Sequence, residues 1–147
     1  MALLTVRDRT RSGLARLLAS RGFAPRAVKT TLDRLMEQGY LDDRRFATTW
    51  ARSRLRTKPM GPYRLRHELE AKGVEDHVVR EVLKDLYEDG EAAAARRAMA
   101  SKALGFRDLP AGSRTGRLAR FLQRRGFSNE VIWRLLRENQ RSDRGNE

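Results

Sequence analysis

Leu65-Arg66-His67-Glu68-Leu69-Glu70-Ala71-Lys72-Gly73-Val74-Glu75-Asp76-His77-Val78-Val79-Arg80-Glu81-Val82-Leu83 is the stretch on which the reading of the fold turns. Leu65 and Leu69 precede Gly73 by two turns and one turn of a helix, Val74 follows it directly, and Val79 and Leu83 continue with the same spacing beyond. Four-residue spacing puts side chains on one helical face, so the stretch predicts two amphipathic helices joined at a glycine. The frame recurs around Gly22, with Leu14, Leu18, Phe23, Val28 and Leu32, and around Gly126, with Leu118, Leu122, Phe127, Ile132 and Leu136. Ending a helix and reversing the chain needs a left-handed residue, which glycine adopts without the steric penalty of a side chain.

Working outward, the starts of the second helices carry their own marks. Pro25 suits a first turn, Glu75 and Asp76 place negative charge at the second start, and Ser128 caps the third. A further helix precedes two of the hairpins: Arg44 to Arg56, with Asp43 as its expected cap and a close at Thr57 to Gly61 marked by Pro59 and Pro62, and the alanine-rich Glu91 to Leu104, ending at Gly105. Residues 2–9 read as a shortened version of that element. No stretch alternates long enough to be a strand. The expected fold is therefore all-α, an elongated array of three tandem three-helix, helix-turn-helix-like repeats. The modules span 1–42, 43–90 and 91–141, with a polar tail at 142–147. Modules of this size bury too little alone and are expected to stack on one another.

The chain has 147 residues and a net charge of +13. Such a surplus points to a polyanionic partner. Residues 1–60 carry +9, residues 61–90 carry −3 and residues 91–147 carry +7. Arginine outnumbers lysine 27 to 5, and guanidinium is the better fork for phosphate and carboxylate, although genomic base composition produces the same bias. Without cysteine there is no disulfide framework, thiolate metal site or cysteine nucleophile, which fits a cytoplasmic protein. Met1 to Leu4 is far too short for a signal-peptide core or a membrane span.

The ordered string Gly39-Tyr40-Leu41-Asp42-Asp43-Arg44-Arg45-Phe46-Ala47, then Ser53-Arg54, Gly61-Pro62, Leu65, Glu68-Leu69 and Lys72-Gly73-Val74 resembles the RecX family of bacterial regulatory proteins. The stretch from Leu118 to Gly126 is similar to that family's carboxy-terminal module. The resemblance implies tandem three-helix repeats without a catalytic centre or cofactor. It also implies binding to the RecA recombinase, chiefly as its nucleoprotein filament on single-stranded DNA. Modulation, mainly inhibition, of ATP hydrolysis, strand exchange and SOS co-protease activity follows from the same likeness. The first module departs from the family's Ser-x-x-Glu capping box, because in Thr10-Arg11-Ser12-Gly13 the glycine stands where the glutamate would reach back to the cap.

Charge placement nominates the surface. On the helix from Arg44 to Arg56, Phe46, Ala47, Trp50, Ala51 and Ser53 share one side, while Arg45, Arg52 and Arg56 lie within about 40° of one another opposite. That strip is either a solvated face or a contact for filament phosphates and acidic groups. Arg54 falls among the apolar residues and calls for a carboxylate partner or a wet edge, with Asp42, Asp43 or Glu68 as candidate partners. Arg16 and Arg120 occupy equivalent positions in the outer modules, and Arg117, Arg124 and Arg125 extend a basic face on the third, continued by Arg134, Arg137 and Arg141. Arg21, Lys72 and Arg125 each precede a turn glycine, where a cation gains from the helix dipole. Phe23 and Phe127 are expected to staple the hairpins, and Phe46, Trp50 and Trp133 to lie in the core. The acidic Glu75, Asp76, Glu81, Asp85, Glu88 and Asp89 are expected to face protein or solvent.

Catalysis has no support. There is no phosphate loop, His67 and His77 lack metal-ligand spacing, and Asp42-Asp43 reads as capping rather than as paired acids. The competing reading is a DNA-binding protein that acts without a recombinase, since helical hairpins also build helix-turn-helix proteins. Either way single-stranded and possibly double-stranded DNA is an expected partner, membrane is not, and a monomer is expected. A purely architectural repeat is the third reading.

Overall fold

The computed structural model describes residues 9–145, leaving the side chains of 103 and 104 aside. Among the described residues there are eight α-helices and no strand: α1 (Arg11–Ser20), α2 (Pro25–Glu37), α3 (Asp43–Thr57), α4 (Pro62–Ala71), α5 (Asp76–Leu86), α6 (Glu91–Lys102), α7 (Ala111–Arg124) and α8 (Asn129–Arg144). A 3-10 turn, Ala103–Phe106, follows α6. The tandem helical hairpins on Gly22, Gly73 and Gly126 are thus present, while the expected element at residues 2–9 lies almost wholly outside the described residues.

The three turns are built alike. Gly22 N–H donates to Ala19 and Phe23 N–H to Leu18; Gly73 donates to Glu70 and Val74 to Leu69; Gly126 donates to Gln123 and Phe127 to Leu122. This is the paired bonding of a Schellman ending, which needs its glycine at positive φ. Gly73 and Gly126 have φ of +81° and +82°.

By packing, the chain divides into two compact units, Met1–Ser53 with Arg66–Lys84, and Arg54–Leu65 with Asp85–Glu147. In the first, Leu14, Val28, Leu32 and Leu41 are buried together, with Ala15, Leu17, Leu18 and Leu35 against them. The start of α1 sits on the Gly73 turn: Thr10 donates its hydroxyl to the Lys72 carbonyl at 3.0 Å, and a Cβ on Gly73 would overlap Ser12. In the second, Ala94, Ala95 and Ala98 let α6 lie close to Leu118, Phe121, Leu122, Phe127, Ile132, Leu135 and Leu136. There Gly61 N–H donates to the Arg125 carbonyl at 2.6 Å, and a Cβ on Gly126 would strike Arg64. Thr10 and Gly61 hold equivalent places in their repeats, so each unit contains the same join, the start of one hairpin on the glycine turn of the next.

Several expectations need correction. Asp43 does not cap α3; Asp42 does, accepting Arg45 N–H at 3.1 Å, while Asp43 reaches to α1. The alanine-rich helix stops at Lys102 and tightens into the 3-10 turn, which runs through Gly105 to Phe106. Phe127 is buried, but Phe23 is 55% exposed and does not staple its hairpin as Phe127 does. Trp133 is 52% exposed rather than core. It follows Ile132, and one residue rotates the side chain by about 100°, which carries it off the buried face of Ile132, Leu135 and Leu136.

Candidate interaction surface

Several residues of the family-like string sit in turns or in the core. Gly39 has φ of +75° and ends α2; the Tyr40 and Leu41 amides both donate to the Leu35 carbonyl. Leu41, Leu69 and Gly61 are buried, Phe46 is half-buried, and Tyr40 is largely exposed. Asp43 is buried and its carboxylate accepts Arg11 N–H at 2.8 Å. Burial pushes its carboxyl above the ordinary range, Glu75 and Asp42 push the same way, and the Arg11 amide and guanidinium oppose them. Arg11 also pairs with Asp33 at 2.7 Å. One arginine and one aspartate therefore tie α1 to both α2 and α3.

The candidate contact arginines fall into two groups. Arg16, Arg45, Arg52, Arg56, Arg117, Arg120 and Arg124 are exposed, and none forms an ion pair among the described residues. Arg45 alone reaches a protein acceptor, the Gly39 carbonyl, at 3.5 Å. Arg125 is different: its guanidinium donates to the Pro59 carbonyl at 2.7 Å and lies 4.9 Å from the centre of the Phe121 ring. Partial burial lowers its pKa, and the neighbouring positive charges of Arg64, Arg54 and Arg124 lower it further. Arg64 in turn donates to the Arg124 carbonyl at 2.7 Å. Arg125 is thus a clamp between the Pro59 loop and α7, set in a concentration of positive charge. Lys72 shows a parallel use of the pre-glycine cation, lying 5.6 Å from the Trp50 ring. Arg54 is half-buried on α3.

The acidic residues are less available than their number suggests. Glu81 pairs with Arg44, Asp76 with Arg80, and Asp89 with Arg97, whose guanidinium holds the Asp89 carboxyl below its ordinary range. Glu91 accepts both the amide and the hydroxyl of Ser128, which in turn caps α8 through Val131 N–H. Sequence reasoning missed Tyr87. Its buried hydroxyl donates to the Met60 carbonyl at 2.8 Å, and burial raises its pKa. A tyrosine four residues after an apolar Leu83 carries no signal for a bond to a loop 27 residues earlier.

A hollow of about 300 Å³ beside α6, α7 and α8 is lined by Met99, Phe106, Arg107, Arg114, Leu118 and Asp143 among others. It contains no nucleophile beside a base. No group of three His, Cys, Asp or Glu that could hold a metal ion occurs among the described residues. No described helix is long and apolar enough to cross a membrane.

Residues 42–83 match the second three-helix domain of RecX, and residues 89–136 match the third. The Regulatory protein RecX of Halorhodospira halophila is 42% identical over 133 residues, covering 90% of this chain and 80% of that protein. The chain belongs to the RecX family. A second relative, the Regulatory protein RecX of Trichlorobacter lovleyi, is 34% identical, with 92% and 90% of the two chains covered. The crystal structure of RecX from Lactobacillus salivarius superposes with a TM-score of 0.78 over 93% of this chain and 91% of that one, at 19% identity. At that identity the agreement speaks for the RecX fold, and it extends through the glycine-turn hairpins described above.

Proposed function

We propose that this protein is a regulator that binds the RecA recombinase and its DNA filament. In doing so it lowers ATP hydrolysis, strand exchange and SOS co-protease activity, as a monomer in the cytoplasm and without chemistry of its own. The observation that carries the reading is the RecX relationship extending over nine-tenths of the chain, on a molecule in which seven exposed arginines form no ion pair among the described residues. An arginine held in solvent without a partner keeps its full charge and five donors for phosphate or carboxylate. Arg45, Arg52 and Arg56 on α3, Arg16 on α1 and Arg117, Arg120 and Arg124 on α7 are the proposed contacts, with Arg125 positioning the loop beside them. The reading divides the chain at 1–42, 43–90 and 91–141, each module offering one such helix.

The test is the single-strand-dependent ATPase of RecA from the same organism. Substoichiometric protein is expected to lower it, and an unchanged rate at saturating protein overturns the reading. Side-by-side capture by filament, bare single-stranded DNA and DNA-free RecA supports the reading if filament is preferred. Equal capture by bare DNA favours a DNA-binding protein that needs no recombinase.

A further inference from the structure

Trp133 is one of four exposed aromatic residues among those described, with Phe23, Tyr40 and Tyr63, and it lies on α8, outside the helices of the contacts proposed above. Half of its surface is open to solvent on α8. Taking 100° per residue, Arg137 and Arg144 lie within about 40° of Trp133 around the helix, Gln140 within about 20° on the other side, and Arg141 at about 80°. Along the axis the three arginines stand about 6, 12 and 16 Å beyond the indole. All are exposed, and none of the three forms an ion pair among the described residues. Three acids of α8 border the strip, and exposed Asp143 stands about 80° from Trp133 on the side opposite Arg141. Glu138 is taken by Arg96 at 3.1 Å and Arg134 at 3.5 Å, which hold its carboxyl below the ordinary range. Glu130 is exposed one turn before the indole. Beyond Trp133 the face is therefore a row of guanidinium groups that form no ion pair among the described residues, with Asp143 at its flank.

We infer that the Trp133, Arg137, Arg141 and Arg144 face of α8 is a binding strip for single-stranded nucleic acid, the indole stacking on an unpaired base and the arginines following the phosphates. A cation in the last turn of a helix gains from the dipole, which accounts for Arg141 and Arg144 without a ligand. It does not account for a half-exposed tryptophan about two to three turns ahead of them. Protein-binding surfaces gather several apolar side chains at their centre. On α8 itself the neighbours of Trp133 on this face are Glu130, Arg137 and Gln140, all polar and exposed. One flat π-face followed by spaced positive charge matches a base and its phosphates, and every base presents such a face. Duplex DNA offers the phosphates but keeps its bases stacked. The inference deepens the proposed function by giving the DNA strand of the filament a place on this chain.

The experiment uses the full chain with no recombinase present, so its result is independent of the ATPase test. A short fluorescein-labelled oligothymidylate and a blunt duplex of equal length are titrated by anisotropy. Trp133→Ala is expected to weaken oligothymidylate binding at least about fivefold and Trp133→Phe to weaken it less, while duplex binding changes less than about twofold. The Arg137→Gln, Arg141→Gln, Arg144→Gln triple variant is expected to reduce the log–log salt slope by about 2, at roughly 0.7 per single-strand phosphate contact. Thermal melting of each variant checks folding, and quenching of tryptophan emission by oligothymidylate in the Trp50→Phe background reports on Trp133 directly. An equal loss on single strand and duplex, no loss in Trp133→Ala, or a loss confined to recombinase capture overturns the inference.

Discussion

The carboxylate of Asp43, the first residue of α3, accepts the backbone N–H of Arg11, the first residue of α1, at 2.8 Å. A buried acid from a different helix thereby satisfies an N–H of the first turn of α1, while Thr10 caps Gly13 N–H at 3.0 Å. Asp43→Ala orphans that amide and is expected to cost about 1–3 kcal/mol in urea unfolding. Asp43→Asn keeps an acceptor and is expected to lose much less. Because the folded-state pKa is raised above the ordinary 3.8, the folded chain holds the proton more tightly. Stability therefore falls as pH rises from about 3.8 through the raised value, and Asp43→Asn is expected to flatten that part of the profile. An unchanged slope in the variant would show that other groups carry it.

The Gly126 turn offers an internally controlled test. Gly90 and Gly126 both have positive φ, but a Cβ at Gly90 meets open space and one at Gly126 meets the Arg64 backbone. Gly90→Ala is expected to cost about 1–2 kcal/mol from backbone strain alone. Gly126→Ala should cost more, since α4 must move as well. Chemical denaturation of the two variants compares them, and equal losses would mean the close approach adds nothing.

Tyr87→Phe removes the donor that satisfies the Met60 carbonyl in the loop before α4. About 1 kcal/mol of stability is expected to go with it, seen as a lower denaturation midpoint at unchanged slope.

Arginines of the two groups should separate cleanly. Arg52→Gln with Arg56→Gln alters only exposed charge and is expected to leave stability within about 0.5 kcal/mol per site while raising the amount of protein needed to inhibit the RecA ATPase. Arg125→Gln removes the bond to Pro59 and the cover over Phe121, so its melting temperature is expected to fall. A double variant on α3 with undiminished inhibition would remove that strip from the proposed contact.

Much of the scaffold was legible because its signals are local. Leu14, Leu65 and Leu118 share a helical phase with their turn glycines, and all three are buried. The turns on Gly22, Gly73 and Gly126 follow from a single constraint, the left-handed residue a helix needs to end in this way. Pro25 at a first turn and Ser128 as a cap likewise act within one turn of their own position. Trp133 was misjudged because apolar character marks a stripe only to within one residue, and one residue is enough to turn a side chain out.

The sequence by itself determined the helices, the glycine turns, the threefold recurrence and the uneven charge, since each depends on residue type and spacing over a few turns. Only the tertiary structure decided that Asp43 serves α1 rather than its own helix, that Arg125 is held by Pro59 and Phe121 while Arg52 stays in solvent, and that Tyr87 answers Met60. Those assignments join residues tens of positions apart. Spacing along the chain fixes which face of a helix a side chain occupies, but which acceptor stands opposite that face is set by the packing of other helices against it.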